Sequence, residues 1–100
     1  MPYNYNLSQE AADDMLEAYL WYEKQRLGLG EEFLESLDKA HQLIIQNLST
    51  YRTRYKQKVR AFLVDRFPYF ILYVLEKEEV NVISVFNTSR DSQIWKKRIK

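Results

Sequence analysis

The run from residue 52 to residue 95 constrains this chain most. It holds three apolar, β-rich segments, at 59–67, 69–76 and 80–87. Pro68 parts the first two, and Lys77-Glu78-Glu79 parts the second and third. Val, Ile, Phe, Tyr and Leu in runs of that length, split by short polar breaks, predict an antiparallel meander. Cations gather at its ends. Arg52, Arg54, Lys56, Lys58 and Arg60 recur at every second position before it, and Arg90, Lys96, Lys97, Arg98 and Lys100 follow it. A period of two aims the first five to one face if the backbone there is extended.

Two helices are expected ahead of the meander. Tyr3, Tyr5 and Leu7 alternate with Asn4 and Asn6, the period of a short strand. Ser8 is placed to cap a first helix that runs to about Arg26, with Glu10 suited to its first turn. Ala12, Met15, Leu16, Tyr19 and Leu20 recur at spacings of three and four, so they are expected to face the core. Glu23 shares that face without sharing its character, and Asp13, Asp14, Glu17 and Lys24 form the wet side. Gly28-Leu29-Gly30 ends the helix, since glycine adopts the left-handed conformation of a C-cap without strain. A second helix begins near Glu31 and Glu32, with Phe33, Leu34, Leu37, Ala40, Ile44, Ile45 and Leu48 apolar. So short a connection predicts an antiparallel hairpin. Asp91 or Ser92 caps a final turn or two, in a tail whose apolar residues are Ile94, Trp95 and Ile99. The order is β-α-α-β-β-β with a short α. Segregated elements of this kind predict an α+β fold, a helical hairpin packed on one face of an antiparallel sheet. One hundred residues form one domain, 1–100, large enough for a single core.

Composition removes several classes of function. The chain has no cysteine, one histidine (His41) and two glycines (Gly28 and Gly30). That leaves no thiolate metal site, no Gly-rich phosphate loop and no Ser-His-Asp set, so no cofactor, metal or small-molecule substrate is expected. His41, on the second helix, is expected to have a structural or surface role. No apolar run reaches the ~20 residues of a membrane span, and the N-terminus lacks the layout of a signal peptide. A cytoplasmic chain without membrane contact is the expectation. Net charge is +1, yet residues 1–50 set Glu10, Asp13, Asp14, Glu17, Glu23, Glu31, Glu32, Glu35 and Asp38 against only Lys24, Arg26 and Lys39. The C-terminal half is therefore basic, which suits a polyanionic partner or a set of solvated strand ends. The strands are apolar at both parities, while the helices cover one face only. The other face is tiled by long side chains and the tail, or covered by another chain.

Val59-Arg60, Arg66-Phe67-Pro68-Tyr69, Ile71, Tyr73, Val82-Ile83-Ser84-Val85, Arg90 and Trp95, in that order, resemble the RelE/ParE toxin superfamily. Trp21-Tyr22-Glu23 followed by Gly28-Leu29-Gly30-Glu31 and Phe33 is similar to the helical half of its plasmid-stabilisation, ParE-like branch. The resemblance implies a toxin of a type II toxin–antitoxin module, covered by a cognate antitoxin. Two modes of action follow from it. RelE-like members cleave messenger RNA on the ribosome, by attack of a ribose 2′-hydroxyl on the adjacent phosphate. That metal-independent chemistry needs cations, a proton acceptor and a proton donor. Lys56, Lys58, Arg60 and Arg90 are the candidates here, with Trp95 placed to stack on a base. ParE-like members inhibit DNA gyrase by contact and need no acid/base pair. Arg60, Arg90, Trp95, Lys96, Lys97 and Arg98 are then the candidates for partner or nucleic-acid contact. The chain departs from the nuclease pattern at Phe70 and near Thr88, where RelE has arginines, and at Asn87, where other branches have a histidine. A degenerate, non-toxic relative is the third reading.

Overall fold

The computed structural model describes residues 4–46, 53–55, 59–76, 79–90 and 93–98, and the backbone alone at 53–55, 94 and 95. The elements are β1 (Asn4–Leu7), α1 (Gln9–Gln25), α2 (Leu29–Gln46), β2 (Thr53–Tyr55), β3 (Val59–Leu63), β4 (Tyr69–Glu76), β5 (Glu79–Asn87) and α3 (Gln93–Lys96). They form the expected α+β arrangement with one strand more, because the basic segment supplies β2. The strand order is β1-β5-β4-β3-β2. The meander β2 to β5 is antiparallel, and β1 joins β5 in parallel, so the sheet is mixed rather than wholly antiparallel. Strand β3 ends at Leu63, four residues before the expected end. The backbone turns at 65–68, where Arg66 takes φ +75°.

The helix boundaries follow from capping. The Ser8 hydroxyl accepts from Ala11 N at 3.0 Å and starts α1. Gly28, at φ +91°, makes the turn that a side chain would strain. Glu23, the polar outlier on its helix face, explains the start of α2. Its Oε1 accepts from Gly28 N at 3.0 Å and from Gly30 N at 2.8 Å, so α1 caps its neighbour from the side. Gly30 is also the point of closest approach. A Cβ there would stand 2.7 Å from the Tyr19 ring and 2.8 Å from the Tyr19 carbonyl oxygen.

Helix α2 buries Phe33, Leu37, Ala40 and Ile44 as the periodicity requires, though Ile45 is exposed and Leu48 lies outside the described residues. Helix α1 differs from expectation. Its buried residues are Ala11, Ala18 and Tyr22, while Ala12, Leu16 and Leu20 face solvent. The small alanines let α1 lie close to the sheet, and one aromatic, Tyr22, fills the remaining space. On the helix side these residues meet Ile71, Tyr73, Val80, Val82 and Val85. On the opposite side Val59, Leu72 and Phe86 form a second buried cluster, with Ala61, Phe70, Val74 and Ile83 half-buried around it.

Strand β5 carries one bulge. Leu72 pairs with Ser84 and Tyr73 with Val82, so Ile83 and Ser84 together oppose Leu72. The bulge turns Ser84 toward α1, where its hydroxyl donates to Asp14 Oδ2 at 3.1 Å; Val85 N donates to the same oxygen at 3.0 Å. No helix among the described residues is long and apolar enough to cross a membrane.

Candidate functional site

A cleft of about 520 Å3 opens where α1 crosses the end of the sheet. Helix α1 lines it with Glu17, Ala18, Trp21 and Tyr22; the β3–β4 turn supplies Pro68 and Tyr69; the end of β5 and the turn after it supply Asn87 and Arg90. Glu17, Ala18, Trp21 and Tyr22 are spaced so that one helix face presents them together.

The wall of the cleft is built on a packed aromatic cluster. The Tyr22 ring lies 5.0 Å from Phe67, 5.2 Å from Phe33 and 5.1 Å from Trp21, mostly in tilted or edge-on contacts. Phe33 adds Phe67 at 5.3 Å and Tyr69 at 5.1 Å. These separations are those at which ring quadrupoles attract. Burial, and then the neighbouring Tyr69, raise the pKa of Tyr22, so its hydroxyl stays protonated at neutral pH.

The backbone of the rim is pinned on both sides. Val64 N donates to Tyr69 O at 2.8 Å, Tyr69 N to Phe67 O at 2.8 Å, and Thr88 N to Pro68 O at 2.9 Å. The last bond ties the β3–β4 turn to the end of β5. Arg66 holds its left-handed backbone with a 2.7 Å ion pair to Glu32, whose second oxygen takes Arg26 at 3.0 Å. The two guanidiniums, Arg66 first, hold the Glu32 carboxyl below its ordinary range. The Asn87 side chain caps its own turn, its Oδ1 accepting from Ser89 N at 2.9 Å and Ser89 Oγ at 2.7 Å.

The cleft gathers one of the cations expected at a site. Arg90 stands at its mouth, 55% exposed, with Nη1 3.6 Å from Glu17 Oε1 on a side chain 78% exposed. A pair so open contributes at most ~1 kcal/mol and exchanges readily for a stronger partner. Arg60 is elsewhere. It pairs with Tyr73 on β4, whereas Asn87, just before Arg90, pairs with Tyr69. Four residue steps along β4 separate the two, or roughly 13 Å at 3.3 Å per residue. The register therefore sets the two candidate arginines apart, Arg60 beside the middle of β4 and Arg90 beyond the end of β5. Lys56 and Lys58 lie outside the described residues. Lys96 is half-buried at the end of α3 and Lys97 is exposed just beyond it. Trp95 lies in α3, and its side chain is outside what is described.

Arg98 is engaged within the molecule rather than offered to a partner. Its Nη1 donates to Asp14 Oδ2 at 2.8 Å and to Ile83 O at 2.9 Å, and its Nη2 donates to Asp14 Oδ1 at 3.3 Å. Asp14 thus joins α1, the β5 bulge and the residues after α3. It was expected on the wet side of α1, and nothing near it in sequence signals this role. His41, expected in a structural or surface role, packs its ring on Tyr5. It is half-buried on α2 with its ring 4.8 Å from Tyr5, and burial lowers its pKa more than Asp38 raises it. Among the described residues no cluster of His, Asp and Glu is arranged to hold a metal ion.

Comparison with known proteins agrees with this architecture. The family model for the ParE toxin of type II toxin–antitoxin systems, parDE, matches residues 5–92. A solved structure of the chromosomal ParDE TA system from P. aeruginosa shares the fold, with a TM-score of 0.76 at 13% identity over 87% of this chain and 97% of that one. No curated protein matches the sequence.

Proposed function

The chain belongs to the ParE toxin family of type II toxin–antitoxin systems, and on that premise we propose that it arrests growth by binding DNA gyrase in the cytoplasm, without cutting RNA. A cognate antitoxin holds it inactive. The observation that carries the choice between modes is Asn87. At the strand end where nuclease relatives carry a histidine, this chain has an amide that exchanges no proton near neutral pH. Its oxygen is already occupied by Ser89. Phe70, where RelE carries an arginine, is half-buried in the second apolar cluster. Inhibition by contact needs neither group. It needs a shaped surface with apolar anchors and an exchangeable charge, which Trp21, Tyr69, Pro68 and Arg90 supply around the cleft.

The test is DNA supercoiling by purified gyrase in the presence of the purified chain. Supercoiling is expected to stop, and Arg90→Ala is expected to weaken inhibition at least about tenfold, as loss of an interface arginine does, with circular dichroism unchanged. In cells the same toxin is expected to break DNA. Codon-positioned cuts in translated messages, with supercoiling untouched, would establish the nuclease reading instead. Expression without growth arrest would mark a non-toxic relative.

A further inference from the structure

Arg90 and Glu17 meet at the mouth of the cleft without a hydrogen bond between them. Their 3.6 Å separation is longer than one, and both side chains are mostly in water. Glu17 stands one turn before Trp21 on α1, so its carboxylate can swing away from Arg90 without disturbing the helix. Arg90 is the one cation among the residues that line the cleft. Arg98 borders the adjoining hollow, but its guanidinium is engaged with Asp14. Asn87, also on the cleft, has its side-chain oxygen occupied by Ser89 and presents the amide nitrogen, which can only donate.

A partner seated on the wall formed by Trp21 and Tyr69 therefore covers an arginine. It either buries the loose pair intact or supplies an acceptor of its own. A buried pair offsets its desolvation only with good geometry and hydrogen bonds, and a 3.6 Å contact has neither. A carboxylate from the partner can instead take two parallel hydrogen bonds from the guanidinium, while Glu17, already exposed, returns to water at little cost. The charge count selects the source of that anion. One cation beside Glu17, on a helix that also carries Asp13 and Asp14, matches a single negative charge. A nucleic-acid strand brings a row of phosphates and needs several cations to neutralise it. We infer that the cleft takes a segment of gyrase with one Asp or Glu beside an aromatic or large apolar side chain, and that Glu17 is the internal stand-in which that carboxylate displaces from Arg90. The apolar side chain rests against Trp21, which is 56% exposed. The inference rests on the gyrase reading and adds the chemistry of the bound segment and the residue that competes with it.

The experiment measures inhibition of supercoiling by the full chain, and its binding to purified gyrase without DNA. Glu17→Gln is expected to tighten both by about 3–5-fold, the gain from freeing an arginine from an exposed pair. In an Arg90→Ala chain the same change is expected to add nothing, because no pair is left to release. Arg90→Lys keeps the charge but not the paired donors, and is expected to bind at least about fivefold more weakly than the parent. Asp13→Asn removes a carboxylate elsewhere on α1 and is expected to leave both measurements unchanged. Glu17→Gln acting as the parent does overturns the inference. So does an equal gain in the Arg90→Ala background, which makes the effect one of overall charge. A gain seen only with DNA present assigns Arg90 to phosphate, and a gain in affinity for the antitoxin alone assigns the cleft to the antitoxin; either overturns the inference. If the parent neither binds nor inhibits gyrase, the gyrase reading itself falls and takes the inference with it, and that result stands before any variant is compared.

Discussion

The two long helices lie side by side and use their apolar residues in opposite ways. Helix α2 turns Phe33, Leu37, Ala40 and Ile44 to the sheet. Helix α1 turns two alanines and Tyr22 inward and leaves Leu16 and Leu20 in water. Burial stabilises in proportion to the apolar area removed from water, so α2 anchors the hairpin through large side chains. Helix α1 is held differently, by a polar junction at Asp14 and by Glu23, which caps α2 from the side. Helix α2 is thus fastened through large side chains, whereas α1 packs through small alanines and Tyr22 and adds directed hydrogen bonds, with Leu16 and Leu20 left in water.

The largest effect is expected where packing dominates. Leu37 is 1% exposed, so Leu37→Ala is expected to lose about 2–5 kcal/mol, the range for a cavity left by a buried leucine. Leu16→Ala, on the neighbouring helix, is expected to stay within ~0.5 kcal/mol of the parent, as exposed substitutions do. Urea denaturation of both variants checks the contrast. Equal losses would erase the distinction between the helices.

A smaller effect is expected at the polar junction. Asp14→Ala removes the acceptor shared by Ser84 Oγ, Val85 N and Arg98, two of them at buried residues. Leaving such donors without a partner costs about 1–3 kcal/mol. The loss is expected to be local as well as global. Amide exchange at Val85 and over residues 93–98 is expected to quicken more than exchange in the middle of α2. Uniform acceleration across both helices would instead make Asp14 an ordinary contributor to global stability.

These contrasts also mark what the amino-acid sequence made legible. The strands of the meander were readable because β-branched and aromatic runs, cut by Pro68 and by the Lys77-Glu78-Glu79 break, leave a local signature. The buried face of α2 was readable because its large apolar residues keep one helical period. The face of α1 was not. Its leucines are the strongest hydrophobic signal, while its buried positions are mostly alanine, which carries little. Arg98 reads as one more cation in a basic tail, because its partner Asp14 stands 84 residues away. Arg60 and Arg90 both read as cations flanking the meander, and only the register shows how far apart along the sheet they stand. The cleft was legible in pieces. Trp21, Tyr22, Pro68, Tyr69 and Arg90 each stood out, but only the crossing of α1 over the end of the sheet joins them.

The smallest effect appears only on acidification, and it comes from the inner side of α2. His41 lies half-buried against Tyr5, and its Nε2 has no hydrogen-bond partner among the described residues. Burial, partly opposed by Asp38, lowers its pKa from the ordinary 6.5. A histidine whose folded pKa is depressed binds its proton more readily in the unfolded chain. Stability therefore rises with pH across the interval between the two values, and it is lost as pH falls below about 6.5 toward the folded value. Glu32 adds a loss of the same sign in a separate window, because its depressed pKa makes stability fall away below about 4.5. Denaturation midpoints between pH 7.5 and 5 isolate the first process from the second. The parent is expected to weaken across that range, and His41→Phe, which keeps a ring against Tyr5 without a titrating group, is expected to hold its midpoint there. A variant that weakens as steeply as the parent would place the titrating group elsewhere, and α2 would then face Tyr5 through packing alone.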